Sequence, residues 1–170
     1  MFLVSGDAIA LLTFPGVILH EFAHKLFCTF LKIKVYEVCY FRVGTPSGYV
    51  KHEQTTEFKH TFLIDTGPFL INTITSLIVF FFARFLEEIS IVWLIMVWLG
   101  ASFAVNSFPS TGDAKNLWRE TNKHIKKNFL VIIGYPVVAF IYIANILSML
   151  WFDFIYAGIL YYLTGFIPIP

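Results

Sequence analysis

Five apolar segments dominate this 170-residue chain, at about Ala8 to Leu31, Phe62 to Ala83, Ile89 to Phe108, Phe129 to Leu150 and Phe154 to Ile169. The first four are near or above the ~20 residues that an α-helix needs to cross the hydrocarbon core of a bilayer. That core holds no water to bond exposed N–H and C=O groups, so such a segment forms a helix. The fifth is shorter: it crosses with tilt or lies as a re-entrant or interfacial helix, and Phe166-Ile167-Pro168-Ile169-Pro170 reads as its stop. Only 14% of the residues are charged and 58% are hydrophobic, against about 25% charged in a soluble domain. These features predict an all-α integral membrane protein. The expected architecture is a polytopic helical bundle of four to five spans, one membrane domain over 1–170 without internal repeats.

The connecting segments predict an orientation. Lys32, Lys34, Arg42, Lys51 and Lys59 lie between the first two apolar segments, and Lys115, Arg119, Lys123, Lys126 and Lys127 between the third and fourth. The link between the second and third has Arg84 alone, beside Glu87 and Glu88. By the positive-inside rule both basic segments face the cytoplasm of a multi-pass protein in the cell membrane, with the N-terminus outside. The opening MFLVSGD has no Lys or Arg, which disfavours a cleavable signal peptide. A net charge of +1 argues against nucleic acid as a partner. Within the first basic segment, Val35 to Val43 is rich in β-branched and aromatic residues and runs through Gly44-Thr45-Pro46-Ser47-Gly48 into Tyr49 to His52. This predicts a small β-hairpin between the first two spans, turning around Pro46. Its edge either receives an extended segment by strand addition or merely caps the helices.

The first apolar segment contains His20-Glu21-Phe22-Ala23-His24. At a spacing of four on a helix the two imidazoles share a face, one turn apart, where both can ligate a single zinc, and Glu21 reaches an activated water as general base. The plain alternative is a pair of packing histidines with a glutamate facing a partner, but uncompensated polar groups inside an apolar span are costly. Along an unbroken helix His20 lies about 18 Å from Ala8, which places it inside the membrane toward the cytoplasmic side and requires a polar cavity there. A catalytic zinc needs a third protein ligand. His52 and His60 lie in the predicted hairpin loop and Asp65, His124 and Asp153 near span ends, yet the strongest candidate is Asp113 in Asn106-Ser107-Phe108-Pro109-Ser110-Thr111-Gly112-Asp113-Ala114. Pro and Gly break the helix there and fold the aspartate back toward the histidines; the ordinary use of such an aspartate is to cap the next helix. Cys28 shares the histidine face but stands about 12 Å along the axis from His20, too far for one ion, and reads as packing. Cys28 and Cys39 form no CxxC pair.

With these residues in place, the chain resembles the site-2 protease family of intramembrane zinc metalloproteases. The matching positions are His20, Glu21 and His24; Gly67, Pro68 and Asn72; and Asn106, Pro109 and Asp113, in the family's order. They span 8–117 as a three-helix catalytic core, with additional helices over 118–170. Asn72 stands one residue further from Gly67 than in the family pattern, and Ala114 replaces the glycine expected after Asp113. The resemblance implies a zinc metalloendopeptidase in which His20, His24 and Asp113 bind Zn2+ and Glu21 is the catalytic general base. Asn72 and Asn106 would hydrogen-bond the substrate backbone or join helices. The implied substrate is a transmembrane segment of another protein, cut near the cytoplasmic side. The alternative is a non-catalytic zinc-binding membrane protein that holds transmembrane segments without cutting them; Glu21 argues against it, because a structural zinc has no use for that carboxylate. A metal transporter would need ionisable residues along a continuous path, which the chain does not offer beyond this region and the span ends.

Overall fold

The structure is a computed structural model that describes residues 6–55, 57–86, 90–125, 129–148 and 150–167. Helices α1 (Gly6–Leu12) and α2 (Phe14–Phe30) lead into a hairpin of β1 (Val35–Cys39) and β2 (Tyr49–His52). Helices α3 (Phe58–Ala83), α4 (Ile91–Val105) and α5 (Thr111–His124) follow, then a 3-10 turn (Phe129–Ile133), α6 (Gly134–Ser148) and α7 (Phe152–Thr164). The described chain is thus mostly helical with one two-stranded antiparallel sheet, as the apolar segments and the 35–52 pattern predict. Glu87, Glu88, Ile89, Lys126, Lys127 and the Pro168-Ile169-Pro170 stop lie outside the described residues.

The first apolar segment is not one helix. Pro15, in the first turn of α2, lacks an N–H, and its ring would collide with the Leu11 carbonyl in a continuous helix. The chain breaks at Thr13, and α1 meets α2 at 87°. The backbone groups freed by the break are satisfied from α4. Gly16 N–H donates to Ser102 Oγ at 2.9 Å, while Ser102 Oγ and Asn106 Nδ2 donate to the Thr13 carbonyl at 2.8 and 3.2 Å. Glycine is required at this crossing, because a Cβ on Gly16 would stand 1.9 Å from the Ser102 carbonyl oxygen. The break corrects the depth reckoned from Ala8: that residue is off the α2 axis, and His20 lies only about 9 Å along the axis from Phe14.

By length and composition, α3, with 26 residues, and the 18 residues from Val131 to Ser148 can each cross a membrane, and α1 with α2 make a third crossing if the bent pair is counted as one. Two or three crossings therefore stand by this measure where the apolar segments predict four to five; α4 is apolar but has 15 residues, and α7 has 13. Polar residues join helices in the interior while many large apolar side chains face outward. Asn72 and Ser76 are fully buried, whereas Phe30, Ile91 and Ile146 are 79%, 70% and 64% exposed. Small and polar residues joining helices, with large apolar side chains outside, suit lipid surroundings. The interior is filled by Phe80, Ala104, Val105, Ala157 and Leu160 where α3, α4 and α7 meet, and by Ala114, Leu117, Val138 and Ile141 between α5 and α6. In the hairpin Cys39 faces Tyr49, Val38 faces Val50 and Glu37 faces Lys51, with an irregularity between Val35 and Glu37.

Candidate metal centre

The rings of His20 and His24 lie on one face of α2 with centroids 5.0 Å apart. Each is oriented by a backbone carbonyl: His20 Nδ1 donates to Asn106 O at 2.8 Å, and His24 Nδ1 donates to Ile64 O at 2.9 Å. A carbonyl can only accept, so each Nδ1 carries a proton, and in the neutral rings both Nε2 atoms present lone pairs. The two carbonyls are free because two helices are interrupted. Asn106 caps the C-terminus of α4, where the last carbonyls have no partner within the helix. Ile64 lies four residues before Pro68 inside α3, and the proline nitrogen has no hydrogen to return. The second lone pair of Asn106 O accepts from Asn72 Nδ2 at 2.8 Å.

Asp113 divides its carboxylate between two tasks. Ser110, not Asp113, is the N-cap of α5, and the two form a capping box: Asp113 Oδ2 accepts from the Ser110 N–H and hydroxyl, each at 2.7 Å. This leaves Oδ1 facing His24 Nε2 at 3.6 Å. Helix α5 is anchored to α3 in turn, since Asn116 Nδ2 donates to both Asp65 oxygens at 3.1 and 2.9 Å and Arg119 donates to Asn116 Oδ1 at 2.6 Å.

One ligand atom from each of His20, His24 and Asp113 lies within 4.8 Å of the others, so the three can hold a metal ion. The chemistry of the donors suits one. In the neutral ring, with Nδ1–H held by the Ile64 carbonyl, His24 Nε2 is an acceptor 3.6 Å from a carboxylate oxygen, acceptor against acceptor. A cation between them turns that repulsion into coordination. The spacing is close to the ~3.4 Å between ligand atoms of a tetrahedral ion with bonds of about 2.0–2.1 Å.

The three groups line a cavity of about 450 Å3 that also receives Glu21. Glu21 is buried, and the hairpin is pressed against it: a Cβ on Gly48 would stand 2.6 Å from Glu21 Cγ and 3.0 Å from Oε1. The chain from Pro46 through Val50, together with His52, forms one wall, so the hairpin shapes the cavity as well as covering helices. Asn145, Ser148 and Asp153 form another, with Asp153 accepting a hydrogen bond from Ser148. Asn106 lines the cavity, but its amide is spent on Thr13 and Ser102; its carbonyl is what reaches the site. Asn72 is fully buried away from the cavity and joins α2 to α4 through the Gly16 and Asn106 carbonyls.

Of the other groups weighed as a third ligand, Asp65 and His52 line the cavity outside the three-residue cluster, Asp65 being engaged by Asn116 and His52 Nδ1 by the Glu53 carbonyl. His60 pairs with Glu57, His124 donates to the Glu120 carbonyl, and Cys28 is packed with no exposure. Sequence reasoning missed Ile64, Ser110, Asn116 and the approach of Gly48. Pro68 signals the first, because the carbonyl four residues before a helical proline is always orphaned; the Ser110-x-x-Asp113 spacing signals the second. Comparison with known families, with curated proteins and with solved structures finds no match for this chain.

Proposed function

We propose that the chain is a multi-pass membrane zinc metalloendopeptidase, resembling the site-2 protease family, that hydrolyses a peptide bond in a transmembrane segment of a substrate protein near the cytoplasmic side. The observation that carries this reading is the convergence of two imidazole lone pairs and one carboxylate oxygen beside a buried glutamate in a single cavity. Two histidines and a carboxylate form a familiar catalytic zinc set that leaves a fourth position open. Zinc, when bound, polarises the scissile carbonyl and makes water a nucleophile at neutral pH. Glu21 accepts a proton from the attacking water and passes it to the leaving amine nitrogen. Asn106 and Ile64 keep the imidazoles in the required tautomer through their carbonyls, and Ser110 holds the far oxygen of Asp113. Asn72 braces the Asn106 carbonyl. The hairpin wall offers extended backbone to a locally unwound substrate. In this reading α4 and α7 complete a bundle of four to five passages, the N-terminus lies outside and the basic segments face the cytoplasm.

Purified protein should carry a single zinc and cut members of a panel of single-span proteins in proteoliposomes, with cleavage lost on chelation and regained on adding zinc. A fully zinc-loaded protein that cuts none of the panel would instead identify a non-catalytic zinc-binding membrane protein.

A further inference from the structure

The face of α2 turned away from the metal centre carries a second concavity. Phe14, Ile18 and Phe22, spaced by four, line an apolar groove of about 380 Å3 together with Tyr40 from the hairpin segment and Phe103 of α4. Three residues beyond Phe22 stands Lys25, half-buried in the apolar part of α2. Its Nζ donates to the Tyr40 hydroxyl at 3.0 Å and lies 5.6 Å from the centre of that ring. Among the described residues no carboxylate pairs with Lys25, although an ammonium has three N–H groups to place. A cation with no counter-anion at such a position is costly. Helix α2 continues for about 8 Å past Lys25 before Lys32 and Lys34, so the ammonium marks the boundary between the apolar groove and the basic end of the helix.

We propose that this groove, with Lys25 and Tyr40 at its head, binds an anionic phospholipid from the leaflet on the side of the basic segments. An acyl chain lies along Phe14, Ile18 and Phe22. The headgroup phosphate accepts hydrogen bonds from the remaining Lys25 N–H groups and from the Tyr40 hydroxyl, whose own oxygen is occupied by Lys25. A zwitterionic lipid would bring its own cation to the ammonium. The proposal rests on membrane placement and is independent of the hydrolytic reading.

The test is native mass spectrometry of the delipidated full chain in detergent, titrated with dioleoylphosphatidylglycerol or dioleoylphosphatidylcholine. Wild-type protein should retain phosphatidylglycerol preferentially. Lys25→Gln should lower that retention about fivefold, as expected for one Lys near anionic headgroups, without changing phosphatidylcholine binding, and Lys25→Arg should restore it. Ile18→Trp should fill the groove and reduce retention of both lipids, and Lys32→Gln, the same charge change outside the groove, should leave the preference intact. Equal retention of the two lipids by wild type, or a preference that survives Lys25→Gln, overturns the proposal. A preference lost equally in Lys32→Gln overturns it as well, by assigning the effect to diffuse charge. Recovery of the chain in the membrane fraction reports separately on membrane placement, and thermal unfolding in the same detergent reports on the fold of each variant.

Discussion

Pro68→Ala separates the metal centre from the stability of the fold. In the wild type Ile64 O has no helical donor and accepts from His24 Nδ1 at 2.9 Å. Alanine returns an N–H that competes for that carbonyl and frees the His24 ring to rotate or to change tautomer. Loss of an outer partner of a metal-ligating histidine typically weakens metal binding about 10- to 100-fold, which is about 1.4–2.7 kcal/mol. A carbonyl has two lone pairs, so sharing of Ile64 O places the expected loss toward the tenfold end. The fold should respond in the opposite sense. A proline inside a helix costs about 3 kcal/mol, whereas trimming the buried ring by two methylenes loses about 1.6 kcal/mol of burial. The metal-free protein should therefore be as stable as wild type or slightly more so. Zinc affinity measured by competition with a chromophoric chelator, beside thermal unfolding of the metal-free protein in the same detergent, reads both quantities. A folded Pro68→Ala protein whose zinc affinity stays within about twofold of wild type would refute the assignment of Ile64 as the group that orients His24.

Asp113→Ala should sharply weaken zinc retention and also remove the Oδ2 half of the capping box, worth about 1 kcal/mol, while His52→Ala should leave zinc affinity unchanged; the reverse pattern in a chelator titration would move the third ligand to the hairpin. Gly48→Ala places a Cβ 2.6 Å from Glu21 Cγ, so cleavage should fall by up to about 100-fold, the cost of an ångström-scale misplacement, with zinc content unchanged; full activity in the variant would show that the hairpin does not set the glutamate. In a background lacking Cys28 and Cys39, single cysteines at positions 51 and 123 should label from the cytoplasmic side and one at position 88 from outside. Labelling of position 88 only from the cytoplasmic side would invert the orientation.

The shared face of His20 and His24 was legible because an interval of four encodes one helical face whatever surrounds it, and the hairpin because Val35 to Val43 and Tyr49 to His52 have strand composition around a Gly-Pro turn, although the pairing itself stops at Cys39. Asp113 was legible only as a break followed by an acid. That one of its oxygens completes the Ser110 capping box while the other faces His24 depends on the rotation of a helix whose dock, Asn116 on Asp65, lies 51 residues away in sequence. The length of the first span was misread because Pro15 suits the first turn of a helix as well as it stops one; the Ser102 and Asn106 contacts from α4 are what make the break affordable. Asn72 and Asn106 have the same side chain and carry no local signal of their roles. Their division, one bracing helices and the other presenting a carbonyl to His20, follows from where α2, α3 and α4 cross.

The most direct test of the central claim is Glu21→Gln. The substitution keeps the size of the side chain and leaves His20, His24 and Asp113 in place, so zinc content and thermal stability should match wild type. General-base loss typically costs about 10²- to 10⁴-fold in rate, so cleavage of a co-expressed single-span substrate that the wild type cuts should fall below detection while the intact substrate co-purifies with the variant. Equal cleavage by wild type and a zinc-loaded Glu21→Gln protein would contradict the assignment of Glu21 as the proton carrier and with it the mechanism.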